Sequence, residues 1–123
     1  MGPAALAAIF FASVTVPTFS HDVALLLDKN CVTCHHANGV APFPLTTYSE
    51  VAKRAKLIAT VTAKRYMPPW LPSAPRFDHE LKLTGAEIAL LARWAAAGAP
   101  QGDPRQTPPP PNFAPLPVRR YPR

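Results

Sequence analysis

Proline occupies 17 of the 123 positions, and where those prolines fall decides where regular structure can form. A proline fixes φ, offers no backbone donor and disfavours helical geometry in the residue before it. Pro42 and Pro44, together with Gly39, mark residues 36–46 as loop. Pro68 and Pro69 end whatever precedes Met67, and Pro72 and Pro75 leave residues 71–83 irregular. From Pro104 to Arg123, eight of twenty residues are proline and none is acidic. That segment has little apolar surface to bury and reads as an extended, polyproline-like tail or linker. Regular elements must lie between these points.

Three stretches carry helical signals. His21 to Asn30 groups its apolar residues and reads as a short helix running into Cys31. Thr47-Tyr48-Ser49-Glu50 has the spacing of a capping box. Behind it Val51, Ala55, Ile58 and Val61 recur at helical spacing, with Lys53, Arg54, Lys56 and Lys64 mostly between them, which predicts one helix to about Arg65. Thr84-Gly85-Ala86-Glu87 is a second capping box, and Ile88, Leu91, Trp94 and Ala95 make one face of the helix it starts. Gly98 and Pro100 close that helix. No strand and no internal repeat is evident. The expected fold is all-α, a small domain of three or so helices.

The chain divides into residues 1–20, 21–103 and 104–123. The first segment holds no Lys, Arg, Asp or Glu. Its apolar run, Ala4 to Val16, is thirteen residues, short for a bilayer span and suited to the core of a secretory signal. No basic residue precedes it, so a retained weak membrane anchor is the other reading. Export, to the periplasm in a bacterium, is the expectation. The net charge of +6 is uninformative: four of the thirteen basic residues (Arg105, Arg119, Arg120, Arg123) lie in the tail. The body is nearly balanced and lacks a basic face interleaved with aromatics, so no nucleic-acid partner is expected.

The chemistry sits in Cys31-Val32-Thr33-Cys34-His35. This C-x-x-C-H spacing is the pattern of c-type haem attachment. Two thiols one helical turn apart can add to the two vinyl groups on one porphyrin edge, and the following histidine lies beneath the iron. These two cysteines are the only ones in the chain. A thioredoxin-like pair would want a βαβ context that the chain does not show. A zinc site from Cys31, Cys34, His35 and His36 would want a second ligand cluster, and His79 stands alone. A Cys31–Cys34 disulfide would close too small a loop to stabilise much. A body of this size also gains from a covalent staple.

For the sixth iron ligand the candidate is Met67, the only methionine besides Met1. It is framed by Pro68 and Pro69, which hold its backbone so that the side chain can be aimed. A methionine elsewhere would more often fill a core gap. His36 adjoins the proximal ligand and cannot reach the opposite haem face, while His21 and His79 read as surface histidines. Trp70 is assigned to haem contact and Trp94 to core packing. Arg54, Arg65 and Tyr48 read as ordinary surface or half-buried residues rather than propionate partners.

CVTCH (31–35), APFPLTTY (41–48), MPPW (67–70) and GAPQGDP (98–104) together resemble a bacterial group of class I-like c-type cytochrome domains. The resemblance covers about residues 25 to 112. It implies thioethers at Cys31 and Cys34, His35 as proximal and Met67 as distal iron ligand, and one covalent haem c. It also implies that the Pro42 carbonyl accepts a hydrogen bond from His35. Members of the group often continue into domains resembling copper type II, ascorbate-dependent monooxygenases, whereas this chain continues as NFAPLPVRRYPR. The expected function is outer-sphere electron transfer to a redox partner protein, not catalysis. The alternative is an electron-delivery subunit or fragment of a larger oxidoreductase, with the Pro-rich tail as tether. A third, a ligand-binding haem, would require Met67 to dissociate.

Overall fold

A computed structural model describes Gly2, residues 15–69 and residues 82–113. Among the described residues the regular structure is entirely helical. Four α-helices follow one another: α1 (Ala24–Asn30), α2 (Tyr48–Ala52), α3 (Ala55–Ala63) and α4 (Gly85–Ala96). A wide π-type turn, Phe19–Val23, leads into α1, and a single 3-10 turn, Pro104–Gln106, follows α4. Among the described residues no helix is long and apolar enough to cross a membrane.

Local chemistry explains where the helices start. Thr47 caps α2 and Thr84 caps α4, each accepting from the amide three residues on, while Glu50 and Glu87 reach back to the cap amides. Thr18 opens the N-terminal turn, its hydroxyl accepting from the His21 amide and its own N–H donating to Asp22 Oδ2 at 2.9 Å. The helical body therefore takes in Phe19 and Ser20, both buried, which lie on the other side of the 20/21 boundary drawn from composition. Composition groups these two residues with the apolar run before them, because an apolar core residue carries no mark of its place in a sequence.

The single helix expected over residues 47–65 is two. After Lys53, which ends α2 with helical dihedrals, Arg54 leaves the helical path at φ −111°, ψ 11°, and α3 restarts at Ala55. The apolar phase survives the break: Val51, Ala55 and Ile58 are all buried, so periodicity gives no sign of it. At its other end α3 stops before the prolines. Arg65 adopts a positive φ of 56°, and the Tyr66 and Met67 amides both turn back to the Val61 carbonyl, at 2.9 and 3.3 Å.

α3 packs against α4. The core joins Val23, Leu27, Val51, Ile58, Leu83, Leu91 and Trp94, with Ile88 and Ala95 of α4 partly buried against it. Trp94 is fully buried as expected, and its indole N–H donates to the Pro100 carbonyl at 3.0 Å. After α4 the chain crosses the N-terminal turn, where the Phe19 and Ser20 amides donate to the Pro100 and Gln101 carbonyls, each at 2.9 Å. Gly102 makes this crossing possible. Its φ is +74°, and a Cβ there would stand 2.6 Å from Thr18 Oγ1. The first half of the proline-rich tail stays on the body: Thr107 Oγ1 donates to Ser20 Oγ at 2.8 Å, and the Phe113 ring stacks on His36 at 4.0 Å.

Candidate functional site

The motif segment is wound onto the end of α1. The Cys31 amide donates to the Leu27 carbonyl at 2.8 Å, and the His35 amide to the Cys31 carbonyl at 2.9 Å. Helix-like bonding thus continues through the C-x-x-C-H run, which keeps the two thiols about a turn apart. The loop that follows folds back onto the motif. Ala41 N–H donates to the Cys34 carbonyl at 3.1 Å and Leu45 N–H to the His35 carbonyl at 2.9 Å. Gly39 is needed in the return, because a Cβ there would lie 2.5 Å from the Cys34 carbonyl oxygen.

Beside this motif lies a cavity of about 440 Å³, within the size range of cofactor sites. Cys31, Cys34 and His35 line it from one segment, and Ala41, Pro42, Phe43 and Leu45 from the returning loop. α3 contributes Leu57, Ile58, Val61 and Thr62, and Met67 with Pro68 and Pro69 completes the lining. The surface is almost wholly apolar, and its polar members spend their donors on the backbone. Asn30 Nδ2 donates to the Leu26 carbonyl at 2.9 Å, and Thr62 Oγ1 to the Ile58 carbonyl at 2.7 Å. Three sulfur atoms and one histidine remain as the soft donor set in that wall.

The contacts of His35 engage one ring nitrogen and leave the other available. Its Nδ1 lies 2.9 Å from the Phe43 carbonyl oxygen. A carbonyl only accepts, so Nδ1 carries the proton and Nε2 keeps the lone pair. A second partner on the far ring nitrogen is the usual way a ligating histidine is fixed in tautomer and direction. The acceptor is a correction to the expected one. Pro42 lines the cavity, but the returning loop, pinned at Ala41 and Leu45, brings the carbonyl of the next residue over the imidazole.

The Cys31 thiol resembles a core group in its chemistry: burial first, then the neighbouring Cys34, pushes it up to about 12. A reactive thiolate needs the opposite shift. Among the described residues no three His, Cys, Asp or Glu side chains gather to hold a metal ion. The raised thiol weighs against the redox-dithiol reading of the motif.

The other nominated residues separate clearly. Met67 lies in the cavity lining and is 42% exposed. His36 turns away from the cavity lining, its Nδ1 donating to the Val32 carbonyl at 2.7 Å and its ring on Phe113. Tyr48 donates its hydroxyl to the Ala99 carbonyl at 2.7 Å, and Arg65 reaches the Leu83 carbonyl at 3.2 Å. Trp70 and His79 lie outside the described residues, as do residues 3–14 of the apolar N-terminus and 114–123 of the tail. Phe43 is the site residue that sequence reasoning misses; its place in the APF run is the only signal that could have found it. In comparisons with known proteins, no family model, no curated protein and no solved structure matches the chain.

Proposed function

We propose that this chain is a class I-like, monohaem c-type cytochrome domain that carries electrons by outer-sphere transfer and is not itself an enzyme. The observation that carries the reading is the shared apolar cavity: Cys31, Cys34, His35 and Met67 line it together, and His35 presents Nε2 because Nδ1 is spent on Phe43. Cys31 and Cys34 would hold the porphyrin covalently, His35 would take the proximal and Met67 the distal iron position. A bound haem c would supply a one-electron ferric/ferrous couple. The residues' own work is to fix that group, to keep water from it with Leu45, Ile58 and Val61, and to favour the reduced state through a thioether and an apolar wall.

Export follows, on this reading, from the apolar N-terminus and the covalent-haem motif. Phe19 is a core residue, so a leader cut compatible with this body falls before Thr18. Partners are redox proteins. A tail acting as tether to a larger oxidoreductase would have to start beyond Phe113, since Thr107 and Phe113 are engaged with the body.

The test is the absorption spectrum of protein made in a host that matures c-type haem, followed by haem staining after denaturing electrophoresis. A sharp reduced α-band, haem that survives denaturation, and a sulfur-to-iron charge-transfer band lost in Met67→Ala are expected. Protein that retains no haem overturns the reading.

A further inference from the structure

Phe43 does more than offer its carbonyl. Its ring packs on the His35 imidazole, with centroids 4.8 Å apart and planes tilted by 41°. The Arg54 guanidinium sits over the same ring, 4.2 Å from its centroid. Arg54 is itself held, because Nη1 donates to the Glu50 carbonyl at 3.1 Å. The helix break at Lys53–Arg54 gives this arrangement a reason. It interrupts an otherwise continuous helix at the residue that reaches Phe43, and Arg54 stands at the cap of the restart. A half-buried arginine thus rests, through one aromatic ring, on the histidine whose Nε2 keeps its lone pair.

Two physical effects follow. A guanidinium over an aromatic face is attracted to it, so Arg54 holds the Phe43 ring against the imidazole and with it the carbonyl that receives the Nδ1 proton. The guanidinium is also a permanent positive charge. Placed two ring contacts from the proximal nitrogen and partly shielded from water, it opposes any gain of positive charge there. Oxidation of an iron bound at Nε2 is such a gain.

We propose that Arg54, acting through Phe43, is a positioning residue that fixes His35 and biases an iron held at Nε2 toward the reduced state; this rests on the haem reading above. The measurement is the midpoint potential of the haem-loaded protein, with Nδ1–H exchange of His35 followed by NMR in the reduced form. Arg54→Gln removes the charge and should shift the ferric/ferrous equilibrium about tenfold toward ferric, which is about 59 mV lower for one electron. The same variant should speed exchange of the His35 proton. Arg54→Lys keeps a cation over the ring and should stay within about twofold of wild type. Lys53→Gln makes the identical charge change at an exposed neighbour and should also stay within about twofold.

An Arg54→Gln potential indistinguishable from wild type overturns the proposal. So does an Arg54→Lys or Lys53→Gln shift as large, since either would mean general packing or general charge. Should Arg54→Gln fail to load haem, the Arg54→Lys potential and exchange rate decide alone, a tenfold shift counting against. Wild-type protein without haem overturns the underlying reading instead, and that result is visible before any variant is compared.

Discussion

The two sides of this small domain solve opposite problems. On one side residues 18–20 meet residues 99–107 in a seam in which polar groups answer one another: Phe19 and Ser20 amides to Pro100 and Gln101, Trp94 to Pro100, Tyr48 to Ala99, Thr107 to Ser20. Among the described residues no buried side-chain nitrogen or oxygen lacks a partner. On the other side the walls around the cavity are built from loop and helix flank, lined with apolar side chains, and partly open to water at Val40, Leu57 and Met67. The seam is complete in itself. The cavity side presents apolar surface and sulfur, which is stabilising only when covered. The difference teaches where each kind of mutation should be felt: seam changes in the stability of the body itself, cavity changes, on the haem reading, in haem retention and through it in stability and redox behaviour.

The largest effect tests that division outright. Replacing both thiols, Cys31→Ala with Cys34→Ala, should abolish haem staining after denaturation and lower stability by an amount on the order of 5 kcal/mol, comparable to the whole stability of a domain this size. Thermal unfolding followed by circular dichroism reads it. An unchanged melting profile would mean that the cavity side is as self-sufficient as the seam, and the comparison would break.

Next comes the centre of the seam side. Trp94→Ala removes a fully buried ring and should cost about 3–5 kcal/mol. Trp94→Phe keeps much of the packing but leaves the Pro100 carbonyl with the Phe19 amide alone, for about 1–3 kcal/mol. Urea unfolding of the haem-loaded protein measures both. The oxidised and reduced spectra should stay the same in both variants. A lost charge-transfer band would show that the two sides are coupled through α4.

These two regions are also unequally legible. Caps and helix faces near the seam can be read because Thr47, Thr84, Leu91 and Trp94 act through side chains at fixed spacings. The cysteines, His35 and Met67 can be nominated for the same reason, and they do line one cavity. The Phe43 carbonyl cannot be singled out, since a backbone oxygen carries no residue identity and only the pinning at Ala41 and Leu45 selects it. The break at Lys53–Arg54 is hidden because it preserves the apolar phase on both sides. The seam itself is invisible for a third reason. It pairs Ser20 with Thr107, 87 positions away, and no local pattern in a proline-rich tail announces that its first half will lie there.

Two glycines sharpen what the seam demands. Gly98 and Gly102 both have positive φ, +88° and +74°. A methyl group added at Gly98 would meet nothing within 4 Å, whereas one at Gly102 would stand 2.6 Å from Thr18 Oγ1. Gly98→Ala should therefore cost only the backbone strain, roughly 1 kcal/mol. Gly102→Ala adds a clash with the cap of the N-terminal turn and should cost roughly 2–3 kcal/mol. Equal melting temperatures for the two variants would mean that the 98–102 crossing is held by its dihedrals and not by its fit against Thr18.

The smallest effect is a pH dependence at the capping box that opens α2, between the two regions. Burial alone would raise the Glu50 carboxyl, but hydrogen bonds from the Thr46 and Thr47 amides and the Thr46 hydroxyl outweigh it and hold the group below its ordinary value. A carboxylate with a depressed folded-state value adds stability that is whole above its unfolded value and is lost as pH falls through the folded one. Wild-type protein should thus lose a little stability as pH falls through the carboxylate range, and Glu50→Gln should lose less over the same interval while starting lower at neutral pH. Urea midpoints at about pH 7, 5 and 3 decide it. Because α2 leads into the break that carries Arg54, the same series followed in the visible spectrum asks whether a cap outside the cavity can be felt within it. On the division drawn above, the midpoints should move and the α-band should not.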